Sequence, residues 1–132
     1  MNENVDKLQQ MYAAFGRGDI DMLLANVTDD VTWGVDTAAR EVPTYGIRNG
    51  REGVADFFAT LAEYVDFKSF EPKTFAASGD EVLVTVDYDF SFRKNGKGLP
   101  VSALHRFRIR DGKVSSFRGY EDTAAVRSAW VD

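Results

Sequence analysis

The chain has 132 residues, 44% hydrophobic and 13% aromatic, and a formal net charge of −5 at pH 7. These values predict one globular domain over residues 1–132 with an aromatic-rich interior. Because the balance is acidic and the basic residues are scattered, we expect no nucleic-acid partner. The chain has no cysteine, which excludes disulfides, thiol catalysis and thiolate metal sites.

The sequence carries no sign of a membrane or export segment. No apolar run approaches the roughly 18 residues that a membrane span needs. The first residues, Met1 to Asn4, lack the basic-then-apolar order of a signal peptide. We therefore expect a cytoplasmic protein with no membrane partner.

The chain begins with helical patterning. Apolar residues at helical spacing from Val5 to Phe15 predict a helix over about residues 3–15, ended by Gly16 and Gly18. This first helix would place its apolar side, including Met11 and Tyr12, on the core.

A short second helix and a strand follow. Asp19 is placed to cap a helix that carries Ile20, Leu23 and Leu24 on its apolar side. Residues 31–33, Val-Thr-Trp, are branched and aromatic and predict a short strand.

The stretch from Gly34 to Gly50 has no periodicity, and we predict a long loop there. Loops of this length in a small domain are often binding loops or lids. Asn49 with Glu52 three residues later resembles a capping box. It would open a third helix with apolar residues on one side: Val54, Phe57, Phe58, Leu61 and Val65.

The rest of the chain is patterned as strands. We predict four strands, joined in part by Asn-Gly and Asp-Gly hairpin turns, over Phe67–Ala77, Glu81–Phe92, Leu99–Arg110 and Lys113–Asp122. Three helices followed by an antiparallel meander predict an α+β fold. The sheet must curl around the helices to cover their apolar faces.

The only histidine lies on the most clearly patterned strand. His105 shares one face with Val101, Ala103, Phe107 and Ile109, and three arginines at 106, 108 and 110 share the other. A slip of one residue would bury the arginines, so His105 faces the apolar side. It is either a satisfied core residue or the polar group of a pocket.

The three arginines of that strand face outward. They lie beside the strand that bears Asp87 and Asp89, and we expect cross-strand ion pairs rather than an anion site.

Five segments occur in a characteristic order and spacing: Phe15–Asp19, Asp29–Trp33, Tyr45–Glu52, His105–Val114 and Phe117–Asp122. Over nearly the whole chain they resemble the nuclear transport factor 2-like (NTF2-like) superfamily, and within it the SnoaL-like polyketide cyclase and ketosteroid isomerase branch. The resemblance implies a cystatin-like, cone-shaped sheet wrapped over the helices, with a pocket at its wide end. It does not imply one activity, because the fold hosts many.

The resemblance does not carry the steroid isomerase machinery across. The catalytic base of that enzyme falls on Val35, with Asp36 one residue out of register. Its tyrosine donor falls on Met11 rather than Tyr12, and its second donor, a neutral carboxylic acid, falls on His105. Steroid isomerisation by the same residues is therefore not expected.

A histidine and a carboxylate near the chain end form a second resemblance. SnoaL-like cyclases pair an aspartate near the chain end with a histidine on the neighbouring strand for proton transfer. His105 with Asp122 or Glu121 resembles that pair. If Phe117 faces inward, alternation turns Glu121 inward too, but the register does not choose between the two carboxylates.

These features predict a small-molecule pocket. Its candidate lining is Tyr12, Trp33, Tyr45, Phe58, Tyr88, Phe107 and Phe117. We expect an enzyme without cofactor or metal that isomerises, cyclises or dehydrates a small apolar carbonyl compound by proton transfer, with His105, Glu121 and Asp122 as candidate catalytic residues. The alternative is a non-catalytic module that binds a small ligand or a protein segment.

The resemblance also implies a homodimer formed through the outer face of the sheet.

Overall fold

A computed structural model describes residues 2–132. The elements in chain order are α1 (Glu3–Gly16), α2 (Ile20–Ala25), β1 (Val27–Val35), β2 (Gly46–Asn49), α3 (Gly50–Tyr64), β3 (Val65–Ser78), β4 (Glu81–Phe92), β5 (Gly98–Arg110), β6 (Lys113–Tyr120) and α4 (Thr123–Val131). Across the described residues, no helix combines the length and the apolar character that crossing a bilayer requires.

The six strands form one curved, unclosed sheet in the order β2-β1-β6-β5-β4-β3. Neighbouring strands are antiparallel except β1 and β6, which run parallel. The predicted α+β fold, with a mainly antiparallel sheet curved around N-terminal helices, is confirmed.

Both predicted helix starts are correct, but only one of the two capping residues makes a side-chain capping bond. Asp19 caps α2, where its carboxylate accepts a hydrogen bond from the backbone N–H of Met22. Asn49 stands at the N-cap of α3 but makes no side-chain capping bond, so the predicted capping box is wrong. The first turn of α3 directly follows β2, where Asn49 pairs with Thr32 on β1.

The apolar faces of the helices pack on the concave face of the sheet. This core includes Leu8, Met11, Ala14, Leu23, Val54 and Phe58 from the helices and Val82, Val84, Val86, Phe107, Ile109, Val114 and Phe117 from the strands. A second apolar cluster lies beneath α4 and includes Val65, Phe90, Phe92, Val101 and Val126. The inward face predicted for β5 is thereby confirmed for its apolar residues.

Two elements were not predicted. β2 lies inside the stretch read as a loop, and Gly34 on β1 approaches it so closely that a Cβ there would come within 2.2 Å of the Gly46 carbonyl oxygen. α4 is a fourth helix beyond the three predicted, and Trp130 on it packs against Phe92 with ring centroids 5.1 Å apart. The strand β2 was missed because its four residues are too few to display the period-two pattern of a strand.

The outward arginines of β5 form ion pairs, although not with the predicted partners. Arg106 contacts the Glu81 carboxylate at 2.7 Å, and Arg110 contacts Asp30 on β1. Both pairs lie at the protein surface, where ion pairs contribute little to stability.

The register explains the error. Asp87 and Asp89 lie opposite Ser102 and Pro100 on β5, several residues from the arginines. Alternation determines which face a side chain takes, whereas its partner depends on the alignment of the two strands.

Candidate active site

A cavity of about 130 Å³ lies between the helices and the concave face of the sheet. All seven residues predicted to line a pocket do line it, namely Tyr12, Trp33, Tyr45, Phe58, Tyr88, Phe107 and Phe117. His105 and Glu121 also line it, so the structure brings two of the three predicted catalytic residues into one enclosure.

His105 and Tyr12 form the first hydrogen-bonded centre of the cavity. β5 carries His105 inward, and the tyrosine hydroxyl from α1 lies 2.6 Å from the imidazole Nδ1. The two rings are nearly parallel. Phe117 packs edge-on against the imidazole, with the ring centroids 5.0 Å apart.

Burial keeps both members of this pair neutral. It lowers the pKa of His105 to about 4 and raises the pKa of Tyr12, because a buried charge loses its hydration. A neutral tyrosine and a neutral imidazole carry two donor hydrogens, one O–H and one N–H. One hydrogen makes the bond within the pair, so either histidine tautomer leaves one donor for another molecule.

Glu121 forms the second centre with two tyrosines. Its carboxylate accepts a hydrogen bond from the Tyr45 hydroxyl at 2.6 Å and another from the Tyr88 hydroxyl at 2.7 Å. Burial, and then the charge of Glu121, raises the pKa of both tyrosines. The three side chains come from the loop before β2, from β4 and from the end of β6, and sequence reasoning named each without predicting their contact.

The end of β6 determines which carboxylate enters the cavity. β6 ends at Tyr120, and the Asp122 side chain caps α4 by accepting a hydrogen bond from the backbone N–H of Ala125 at 3.1 Å. Asp122 is exposed and absent from the cavity wall. Of the two carboxylates between which the sequence did not choose, Glu121 lines the cavity, whereas Asp122 serves as a helix cap.

Arg48 holds the loop that carries Tyr45, a role that sequence reasoning missed. Its guanidinium donates to the Pro43 carbonyl at 2.8 Å and lies 3.3–3.4 Å from the carbonyl oxygens of residues 44, 45 and 46. It also pairs with Asp56 on α3. The signal was present in the Tyr-Gly-Ile-Arg motif, where Arg48 lies three residues after Tyr45.

Trp33 contributes an aromatic wall rather than a polar contact. Its indole is surrounded by the rings of Phe57, Phe58, Phe107 and Phe117. The buried indole nitrogen has no hydrogen-bond partner among residues 2–132. In the part of the chain that the structure describes, no three His, Asp or Glu side chains come together in an arrangement suited to a metal ion.

Comparison with known proteins identifies the family. Residues 8–117 match the model of the SnoaL-like domain. The chain belongs to the SnoaL-like domain family. Its fold is that of the NTF2-like superfamily, as the sequence predicted. No curated protein matches the chain significantly.

Solved structures similar to this SnoaL-like chain span its whole length. An NTF2-like protein from Burkholderia xenovorans LB400 is 31% identical over 96% of this chain and 95% of that one, with a TM-score of 0.87. An NTF2-like protein of unknown function from Burkholderia pseudomallei K96243 is 23% identical over 98% of both chains, with a TM-score of 0.89. TerC, co-crystallised with polyporic acid, is 22% identical over 99% of this chain and 100% of that one, with a TM-score of 0.84.

The SnoaL-like match includes one polar centre of the cavity and only part of the other. Tyr12 and His105 lie within residues 8–117. Glu121 lies after the matched segment, although it lines the cavity. The carboxylate centre therefore rests on the structure of this chain.

Proposed function

We propose that this protein is a cofactor-independent enzyme that transfers a proton on a small, largely apolar carbonyl compound. One observation carries the proposal. A cavity walled mainly by aromatic rings contains a neutral hydrogen-bond donor, the Tyr12–His105 pair, and a carboxylate, Glu121. A donor and a base in one apolar enclosure are the two groups that enolisation requires.

The proposed chemistry divides the work between the two centres. The Glu121 carboxylate takes the proton from the carbon next to the carbonyl group, and the electron pair of the broken C–H bond moves towards the carbonyl oxygen. The free donor hydrogen of the Tyr12–His105 pair stabilises the negative charge on that oxygen. The aromatic walls keep water away, which strengthens this hydrogen bond.

The fate of the enolate defines the reaction class. If the substrate is a β,γ-unsaturated ketone, the enolate is a dienolate, and return of the proton from Glu121 to the γ-carbon gives isomerisation. Attack of the enolate carbon on a second carbonyl carbon gives cyclisation, and the proton on Glu121 passes to the alkoxide that forms. Loss of a β-hydroxyl group, which leaves as water with the proton from Glu121, gives dehydration. TerC, which has the same fold, was co-crystallised with polyporic acid, and this supports a small molecule as the occupant.

The alternative is a binding module without chemistry. Its support is that both polar centres are already hydrogen-bonded within the protein, so neither requires a reaction to explain it. Turnover distinguishes the two functions, because a binding module returns its ligand unchanged.

The test is hydrogen exchange on a model ketone. We expect the protein to speed the exchange of the α-hydrogens of 2-tetralone for deuterium in D₂O, followed by NMR. Glu121→Gln should slow the catalysed exchange on the order of a hundredfold or more, because the base is lost. Asp122→Asn is the matched control, because asparagine also caps a helix, and we expect it to keep the wild-type rate.

Two outcomes would contradict the proposal. A wild-type protein that binds 2-tetralone without accelerating exchange would be a binding module. Equal rates for wild type and folded Glu121→Gln would remove Glu121 as the base. The homodimer and the cytoplasmic location stay predictions, and sedimentation that finds only monomer at micromolar concentration would contradict the first.

A further inference from the structure

A second cavity of about 40 Å³ adjoins the first. The two cavities share six lining residues, Thr44, Tyr45, Leu61, Phe67, Tyr88 and Glu121. The hydrogen-bonded Tyr45–Glu121–Tyr88 group therefore stands at the junction between a larger and a smaller space.

The smaller cavity is apolar beyond this junction. Its remaining lining consists of Val65, Phe90, Phe92 and Val126, all of them buried in the second core cluster beneath α4. At 10–15 Å³ for a water-sized group, a space of this volume holds roughly three such groups. These four residues offer no polar partner to a water molecule, which favours hydrocarbon over water in the part of the cavity away from Glu121.

The polar groups are distributed unequally between the two spaces. The Tyr12–His105 pair lines only the larger cavity, whereas Glu121 lines both. A ketone whose oxygen meets the Tyr12–His105 donor and whose α-carbon meets Glu121 has its ring in the larger cavity. The carbons beyond the α-carbon then lie in the smaller one.

We propose that the smaller cavity is a subsite for a short, unbranched alkyl chain of the ligand. The substrate class is then a ketone with a ring on one side of the carbonyl group and, on the other, about three carbons beyond the α-carbon. The subsite is a matter of cavity shape, and only the placement of the α-carbon at Glu121 rests on the proposed function.

The test uses phenyl alkyl ketones of increasing chain length, from acetophenone to heptanophenone, with affinity measured by isothermal titration calorimetry. Each methylene that enters the smaller cavity should tighten binding about fourfold. Affinity should rise up to valerophenone, which has three carbons beyond the α-carbon, and should fall for the longer ketones.

Two substitutions at one position should move this optimum in opposite directions. Val126→Phe fills the smaller cavity and should move the optimum to acetophenone or propiophenone. Val126→Ala enlarges the cavity and should move the optimum beyond valerophenone. Val114→Ala is the matched control, because Val114 is fully buried but lines neither cavity. It should lower stability and leave the optimum unchanged.

Circular dichroism identifies which variants are folded, and Val126→Ala suffices if the larger substitution is not. A flat profile, no measurable binding of any ketone, or the same optimum in wild type and a folded Val126 variant would overturn the proposal. Deuterium exchange on the same ketones separates the two claims. If the optimal chain length shifts in the Val126 variants but no deuterium exchange is catalysed, the subsite is supported and the proposed enzymatic function is refuted. If exchange is catalysed but the optimal chain length stays fixed, the enzymatic function is supported and the subsite is refuted.

Discussion

The two polar centres of the cavity differ in the number and kind of their hydrogen-bond partners, although aromatic rings enclose both. Each uses tyrosine hydroxyls, and each is enclosed by aromatic rings. His105 has one tyrosine partner, and burial lowers its pKa to about 4. Glu121 has two tyrosine partners, each within 2.7 Å, and its charge raises their pKa values.

The comparison shows how hydrogen-bond partners affect a titratable side chain inside an aromatic enclosure. A neutral hydroxyl neighbour does not compensate a buried imidazolium for its lost hydration, so the neutral form of the imidazole is favoured. A carboxylate between two O–H donors is hydrogen-bonded in its charged form. One cavity therefore holds a donor centre at His105 and an acceptor centre at Glu121, each with its own tyrosine partners.

The largest expected effect is the pH dependence of folding stability that results from the buried imidazole of His105. The pKa of His105 is about 4 in the folded chain against 6.5 in the unfolded one, so between these values the unfolded state binds the extra proton. Folding stability is then highest above pH 6.5 and falls as the pH is lowered to about 4. The gap in pKa corresponds to about 3 kcal/mol.

Urea unfolding of wild type and His105→Gln at pH 7.5 and pH 4 measures this contribution. Other acidic groups lose stability in both proteins, so the difference between their pH dependences isolates His105. Parallel dependences would contradict a neutral, buried imidazole.

A smaller effect compares the hydrogen bonds of the two centres. Tyr45→Phe and Tyr88→Phe each remove a bond to a charged acceptor and should each cost about 2 kcal/mol of unfolding free energy. Tyr12→Phe removes a bond between neutral groups and should cost about 1 kcal/mol. Chemical denaturation measures all three.

Tyr120→Phe is the control for this series, because its side chain is exposed and its hydroxyl interacts with Arg106 at the surface. Loss of this exposed contact should change stability by less than about 0.5 kcal/mol. A larger loss for Tyr12→Phe than for both of the others would reverse the comparison.

The smallest effect concerns the loop that brings Tyr45 to Glu121. Arg48→Lys keeps the charge but cannot reach the carbonyl oxygens of residues 43–46 together, because lysine lacks the planar fork of arginine. We expect amide hydrogen exchange in this loop to rise about fivefold, which corresponds to about 1 kcal/mol of local stability. Arg93→Lys, at an exposed ion pair with Asp66, is the control, and equal effects of the two substitutions would show that Arg48 has no special hold on the loop.

The neutral centre was partly predictable from the sequence, and the charged centre much less so. Period-two alternation along β5 determines that His105 points inward, and the helical period of α1 places Tyr12 on the core side. Both inferences need only local geometry. The bond between them joins residues 93 positions apart, and a local pattern contains no information about it.

The carboxylate centre depends on events at the ends of elements, where patterns stop. Asp122 was a candidate because it resembles the aspartate near the chain end of SnoaL-like cyclases. The predicted strand continued to it, whereas the strand ends at Tyr120 and a helix begins at Thr123. Alternation from Phe117 puts Glu121 on the inward face and Asp122 on the other, but it does not show where the strand ends, so it cannot identify Asp122 as a helix cap. The Tyr45 side of the contact comes from a loop without periodicity, so its position required the structure.

The parallel pairing of β1 with β6 has a consequence for how the chain acquires its shape. Trp33 pairs with Phe117 across most of the sequence, while β3, β4 and β5 are joined by short turns and pair with their neighbours in the chain. Contacts between distant residues carry a higher entropic cost of loop closure and form slowly. During synthesis the hairpins of β3, β4 and β5 can form before β6, the parallel partner of β1, has been made. The cavity gains Phe117 and Glu121 only after β6 has been synthesised. A chain shortened before β6 would lack Phe117 and Glu121, and with Glu121 the carboxylate centre of the cavity.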